Sequence, residues 1–158
     1  MKIGLTLETD YDLNYFLIAI RSNLDDYRFA YFLNKSPLFL LKRMNHDVSF
    51  LMESSSVYFS VFESINLELE RTIFLIKNKA LYNPGSKNQQ PLFGDEIINN
   101  TAFLLPELKE FDYFLKLIGI WKDSEVLELR KYLKQLKGVE SEAMINPKQV
   151  KSINNLIL

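Results

Sequence analysis

The pattern of hydrophobic and polar positions along the chain predicts a sheet flanked by helices. Residues 13–21 are apolar on both of their alternating faces, which is typical of a central strand that is covered on each side. Shorter runs rich in β-branched and aromatic residues predict further strands, of which 57–63 and 71–78 form an antiparallel hairpin. The other predicted strands are 38–44, 48–52, 111–121 and 138–147, and the three serines at 54–56 predict a turn.

Two segments have the periodicity of a helix. The first covers residues 23–35, where Ser22 and Asp25 match a capping box and Pro37 ends the helix. The second covers about 125–137 and ends before a glycine. Its apolar stripe consists of Val126, Leu129, Leu133 and Leu136.

Residues 82–95 have no apolar period and are rich in Pro, Gly and uncharged polar residues. We expect a loop here, which is either mobile or a binding element. Neither a linker nor an internal repeat divides the chain. The sequence therefore predicts one α+β domain over residues 1–158, with a largely antiparallel sheet of five to seven strands and two main helices.

Composition narrows the classes of function. With 19 basic and 20 acidic residues there is no basic excess, so a nucleic-acid partner is disfavoured. The absence of cysteine excludes thiol catalysis and disulfides, and it fits a reducing compartment. The acidic N-terminal residues do not match a signal peptide, and the longest apolar run, 15–20, is too short to cross a bilayer. We expect a cytoplasmic protein that does not enter a membrane.

Sequence motifs for common catalytic sites are missing. The five glycines are isolated, so no phosphate-binding loop can be formed by clustered glycines. His46 is the single histidine, and we expect it in a surface turn. The sequence therefore predicts no catalytic residue, no metal ligand and no cofactor.

The segment LPELKEFDY, residues 105–113, carries two acids whose role has two interpretations. An unbroken strand would drive Glu107 into the core, where an unpaired charge is costly. We therefore expect a bend at Pro106, with Glu107 at a turn where it can accept backbone N–H groups. Asp112 would point away from the side of Tyr113, within reach of a cross-strand basic group.

The other interpretation is catalytic. Glu107 and Asp112, together with His46 or Tyr113, could serve a carboxylate-dependent enzyme. This chemistry requires the groups to share one concave pocket.

The same nine residues resemble the signature I-P-E-x-x-x-V-D-Y of an uncharacterised protein family found in Bacteroidetes. Pro106, Glu107, Asp112 and Tyr113 match it outright, and other apolar residues replace its isoleucine and valine. Residues 17–35 and the ending NNLIL are also similar to that family. The resemblance implies a small cytoplasmic protein with no assigned reaction, and it points to an acyl carrier protein or an RNA-processing component as partner.

Two groups of cations could form a partner surface. The cations at the C-terminal end of the second helix complement the helix dipole, and this alone explains a solvated basic face. The other interpretation is that this face binds an acidic protein. We expect a non-enzymatic binding or accessory module for a protein partner. The alternative is an RNA-associated protein that uses the basic and aromatic surface from Arg21 to Arg43. The candidate residues are Arg21, Arg28, Lys42 and Arg43, followed by Arg130, Lys131, Lys134 and Lys137.

Overall fold

A six-stranded antiparallel sheet forms the centre of the protein. The computed structural model describes residues 13–83 and 100–158. Within these ranges the helices are α1 (Asp26–Leu33) and α2 (Asp123–Gln135). The strands are β1 (Phe16–Ser22), β2 (Lys42–Arg43), β3 (Val48–Met52), β4 (Ser55–Phe59), β5 (Val61–Asn66), β6 (Arg71–Lys77), β7 (Lys79–Tyr82), β8 (Asn100–Phe103), β9 (Tyr113–Gly119) and β10 (Val139–Ile145).

The central sheet has the strand order β10-β1-β9-β6-β5-β2, and its neighbouring strands are all antiparallel. Strands β3 and β4 form a separate two-stranded sheet, and β7 and β8 form another. This confirms the predicted α+β class, with a largely antiparallel sheet and two main helices. The hairpin predicted from the two middle runs is confirmed as β5 and β6.

Strand β1 is covered on both faces, as its pattern predicts. Ile18 and Ile20 are fully buried in a core that also contains the buried apolar residues of α1 and α2. Leu17 and Ala19 are fully buried in a second core on the opposite face. The second core is closed by β4, β8 and two short 3-10 turns near the C-terminus, Pro147–Gln149 and Ile153–Leu156. The sheet is therefore the middle of three layers.

The predicted strand 38–44 is reduced to Lys42–Arg43, which corrects the prediction. The reason is the side chain of Asn34 at the end of α1, which accepts from the N–H of Leu41 at 2.7 Å and donates to its carbonyl at 3.0 Å. These bonds occupy backbone groups that a strand would use for pairing. Phe39 is buried on the helix side of the sheet, whereas Leu38 and Leu40 are exposed.

Other boundaries also differ from the sequence prediction. Run 57–63 is split at Ser60, so that β4 and β5 belong to different sheets. The turn predicted at 54–56 is formed instead by Glu53 and Ser54, which have positive φ angles of 48° and 68°. Of the loop predicted over 82–95, Tyr82 ends β7 and Asn83 follows it, and the rest lies outside the described residues.

The predicted capping box at the first helix is wrong. Ser22 is the last residue of β1, and its hydroxyl donates to the carbonyl of Gly138 at 2.7 Å. Helix α1 begins at Asp26, and the side chain of Asp25 makes no cap hydrogen bond. The Ser22 hydroxyl also accepts from the N–H of Leu24 at 3.2 Å, but Leu24 precedes the helix, so this local bond does not cap α1.

Gly119 provides a test of how the end of β9 packs. Its φ is +108°, and a Cβ at this position would lie 2.2 Å from the carbonyl oxygen of Glu70. We expect Gly119→Ala to lower the free energy of unfolding in urea by about 2 kcal/mol or more, because backbone strain and a backbone clash add. The exposed helix position Glu128 is the control, and Glu128→Ala should stay within about 0.5 kcal/mol. Equal unfolding midpoints for the two variants would contradict this packing.

Candidate functional site around residues 105–113

The chain changes direction between the second core and strand β9. Leu105 is fully buried, and Pro106–Leu108 then form a 3-10 turn in which Glu107 is exposed. Strand β9 starts only at Tyr113. The predicted break of register at Pro106 is confirmed, since no charged side chain of this turn enters the core.

Asn78 holds this turn in place and is the residue that motif reasoning missed. It lies between β6 and β7 and is fully buried. Its side chain makes three hydrogen bonds to the turn. The partners are the N–H of Leu105 at 2.9 Å and the carbonyl oxygens of Leu108 and Phe111 at 3.0 and 2.8 Å.

The backbone of Asn78 is also bonded to the same segment. Its N–H donates to the carbonyl of Asp112 at 2.8 Å, and its carbonyl accepts from the N–H of Leu104 at 2.8 Å. One indication of this role was visible in the sequence, namely a polar residue close after the apolar run of β6. Its partners are about 30 residues away, however, and the sequence does not reveal them.

Glu107 fastens the C-terminal segment. Its carboxylate accepts from the backbone N–H of Ser152 at 3.2 Å and from the hydroxyl of the same residue. This hydroxyl is the largest cause of a lowered pKa for Glu107. The prediction that Glu107 lies at a turn and can accept from backbone N–H groups is therefore confirmed, with one such donor. The donor comes from a part of the chain 45 residues away.

Asp112 joins two strands. One carboxylate oxygen accepts from the N–H of Ser22 at the end of β1, at 2.8 Å. The other lies 2.8 Å from the ammonium group of Lys79 in β7. The predicted basic partner is thus present, and it comes from the small β7–β8 sheet.

Tyr113 is fixed against α1. Its hydroxyl donates to the carbonyl of Leu24 at 2.5 Å, and its ring lies 5.0 Å from that of Phe29. Burial raises the pKa of Tyr113 above its ordinary value, and the negative charge of Asp26 acts in the same direction. A buried phenol whose hydroxyl donates a hydrogen bond to a backbone carbonyl is a poor acid or base near neutral pH.

The acids and the histidine of the catalytic interpretation do not meet in one pocket. Asp112 and Tyr113 line a cavity of about 230 Å³ together with Lys77 and Lys79, and Glu107 is not among its lining residues. His46 lines other cavities, beside the loop between β2 and β3. In residues 13–83 and 100–158, no cluster of three or more His, Asp or Glu side chains could hold a metal ion.

The first group of candidate cations is spread over the molecule. Arg21 is paired with Glu140 at 3.1 Å, and Arg43 is paired with Asp47 at 2.5 Å. Arg21 lies in β1 and Lys42 in β2, which are four strand spacings apart in the sheet. This distance is about 19 Å across the strands. Arg28 is exposed on α1.

The second group is closer together but partly neutralised. Arg130 donates twice to the carboxylate of Glu142 on β10, at 2.7 and 3.1 Å. Lys134 lies 3.3 Å from the same carboxylate, whose side chain is fully buried. Lys131 and Lys137 are exposed. Half of this group therefore has a structural role between α2 and β10.

Comparison with known proteins finds no similarity to this chain. No model of a protein family matches it, and neither a curated protein nor a solved structure does. The resemblance of residues 105–113 to the I-P-E-x-x-x-V-D-Y signature stays a prediction. Among the described residues, none of the helices has the length and apolar character needed to cross a membrane.

The role of Asn78 can be tested by removing its amide. We expect Asn78→Ala to lower the free energy of unfolding in urea by about 3 kcal/mol, because buried backbone groups lose their partners. Asn78→Asp keeps the shape but loses both donors, so it should also be strongly destabilised. The matched control is the exposed Asn154, where alanine should change the stability by less than about 0.5 kcal/mol. A wild-type midpoint for Asn78→Ala would contradict the role.

The bond between Glu107 and Ser152 predicts a pH dependence. Because the pKa of Glu107 is lowered in the folded protein, its contribution to stability is present above the ordinary value of 4.5 and is lost as the pH falls further. Glu107→Gln should therefore lower the urea midpoint at neutral pH, and its difference from wild type should shrink below about pH 4. Glu110→Gln, on the same segment, is the control. A difference that is the same at all pH values would contradict this assignment.

Proposed function

We propose that the protein is a non-enzymatic binding or accessory module for a protein partner and acts in the cytoplasm. The observation that carries the proposal is the number of large apolar side chains left on the surface. Leu67 is 85% exposed, Leu51 75% and Ile120 71%, although each belongs to an ordered turn, strand or strand end. Leu67 and Ile120 lie at the same end of the central sheet, because Asn66 and Gly119 both pair with Arg71, whereas Leu51 lies on the separate β3–β4 sheet. Exposed apolar side chains near one another, as at this end of the sheet, are typical of protein interaction sites.

The hydrogen bonds of the polar residues in segment 105–113 support the same proposal. Glu107, Asp112 and Tyr113 each bond to a different part of the chain, namely the C-terminal segment, the end of β1 and the entry to α1. A catalytic group must be able to exchange protons or contact a substrate. These three side chains are instead engaged in holding the fold, so the surface is left for function.

An RNA-associated role is the second candidate, and one observation favours it. Tyr27 and Tyr31 lie about one helical turn apart on α1 and are both more than 60% exposed. Arg28 and Lys35 lie beside them, with the ammonium group of Lys35 at 5.2 Å from the ring of Tyr31. Exposed rings and cations are the elements of a stacking surface for single-stranded nucleic acid. The spread of Arg21, Lys42 and Arg43 limits this surface to α1.

The proposal is tested by size-exclusion chromatography of a lysate from the native cells after mild crosslinking. We expect the protein to elute in a complex larger than the monomer of 18.6 kDa. Purified protein, crosslinked at the same concentration, is the control for self-association. Nuclease treatment separates the candidates, because loss of the complex would indicate RNA. Elution at the monomer size from the crosslinked lysate would contradict the proposed function.

A further inference from the structure

The turn between β5 and β6 carries apolar residues where turns usually carry polar ones. Residues 67–70 connect the paired residues Asn66 and Arg71. Leu67 is 85% exposed and Leu69 is 53% exposed. Turns favour Gly, Pro, Asn, Asp and Ser. Nothing in the conformation of this turn requires a leucine side chain. The turn is closed by Asn66, whose side-chain oxygen accepts from the N–H of Leu69 at 3.0 Å.

A cleft opens beside this turn, with a volume of about 80 Å³. We call it the Trp121 cleft. Its walls are mainly apolar, with a few polar groups from the ends of β5 and β6. The lining residues that matter for binding are Leu38, Asn66, Leu69, Arg71 and Trp121.

The apolar surface continues beyond the cleft on both sides. Leu38 is 45% exposed on one wall, and Ile120 is 71% exposed next to Trp121 on the other. The turn touches the chain near Ile120, because the carbonyl of Glu70 lies against Gly119. Leu38, Leu69 and Trp121 therefore line one cleft. Leu67 and Ile120 lie at the same end of the sheet, because the residues before them, Asn66 and Gly119, both pair with Arg71.

The turn beside the cleft carries a negative charge, and the cation that lines the cleft is paired with an acid. Arg71 lies over the ring of Trp121, with 4.3 Å from its guanidinium carbon to the ring centre. It also donates to Glu125 at 2.8 Å and to the carbonyl of Ile120 at 2.7 Å, so its charge is neutralised. The exposed acids Glu68 and Glu70 alternate with the two leucines of the turn. The rim formed by the turn is thus negative.

Strand β5 adds a backbone element to this surface. Strand β2 pairs with β5 only at Phe62 and Glu63. Val61 accepts from the N–H of Met44 on that side, and Ser60 accepts from Lys77 on β6. Because the backbone groups of successive residues alternate between the two sides of a strand, those of Ile65 point to the β2 side. Within the described part of the chain, Ile65 has no strand partner there. An extended peptide segment could therefore lie along the end of β5 and place a side chain in the cleft.

We propose that the Trp121 cleft and the turn 67–70 bind an extended segment of a partner protein in which apolar side chains alternate with Lys or Arg. The segment buries Leu67 and Leu69 and brings its cations to Glu68 and Glu70. This inference rests on the proposed function and names the surface and the chemistry of the partner. It assigns the binding to the acidic turn and not to the basic face of α2.

Trp121 provides a direct readout, because it is the one tryptophan in the sequence. The probes are three short synthetic peptides, which alternate Leu with Lys, Leu with Glu and Ser with Lys. We expect the Leu/Lys peptide to change the emission of Trp121 with saturation, and the other two to bind at least about tenfold more weakly. The affinity for the Leu/Lys peptide should fall with added salt. An oligouridine is the nucleic-acid probe and should cause no change.

Variants separate this surface from others. Leu69→Asp should weaken binding of the Leu/Lys peptide by at least about tenfold, and Glu68→Lys should weaken it while leaving the apolar area intact. The control is Leu81→Asp, because Leu81 is 69% exposed on β7, outside the cleft. Circular dichroism checks that each variant is folded, and Leu69→Ser replaces Leu69→Asp if that variant unfolds.

Three results would overturn the inference: no saturable change in emission, equal binding of the Leu/Glu peptide, or equal effects of Leu69→Asp and Leu81→Asp. The two proposals fail in different ways. If crosslinked complexes form in native cells and persist in Leu69→Asp, the protein binds a partner through another surface. If wild-type protein is monomeric in the native lysate, the proposed function itself is wrong.

Discussion

The buried amide of Asn78 is the interaction on which the arrangement of the other elements depends. It satisfies one N–H and two carbonyl groups of the segment that leads into β9, while its own backbone bonds to both ends of that segment. Buried backbone groups without partners are costly. A 3-10 turn can therefore lie against the second core only because one side chain replaces the hydrogen bonds that regular structure would supply.

Once this turn is fixed, three neighbouring side chains can reach distant parts of the protein. Glu107 holds the C-terminal segment and Asp112 the end of β1, and Tyr113 holds the carbonyl of Leu24, two residues before α1. The C-terminal segment is held at two more points, by Asn155 on the carbonyl of Leu104 and by Lys116 on the carbonyl of Leu156. The acids around Pro106 thus connect the layers of the fold, and this is a physical reason for their presence that requires no substrate.

Several of the charged candidate residues have intramolecular partners, whereas leucines that no motif singled out are exposed. Arg130 and Lys134 share the carboxylate of Glu142, and Arg43 is paired with Asp47. Leu67 and Leu69, in contrast, have no place in either core. Motif reasoning favours charged groups, whereas an interaction surface is often distinguished by apolar groups that the fold leaves uncovered.

The sequence by itself determined the α+β class, the burial of β1 on both faces, the middle hairpin and the bend at Pro106. These depend on local periodicity and on the cost of burying a charge, and both can be evaluated from neighbouring residues. The tertiary structure alone decided that Ser22 bonds to Gly138, that Asn34 replaces a strand ladder at Leu41, and that Asn78 organises the turn. The last of these depends on hydrogen bonds between residues 27 to 33 positions apart, whose geometry is set by packing and leaves no periodic trace in the sequence.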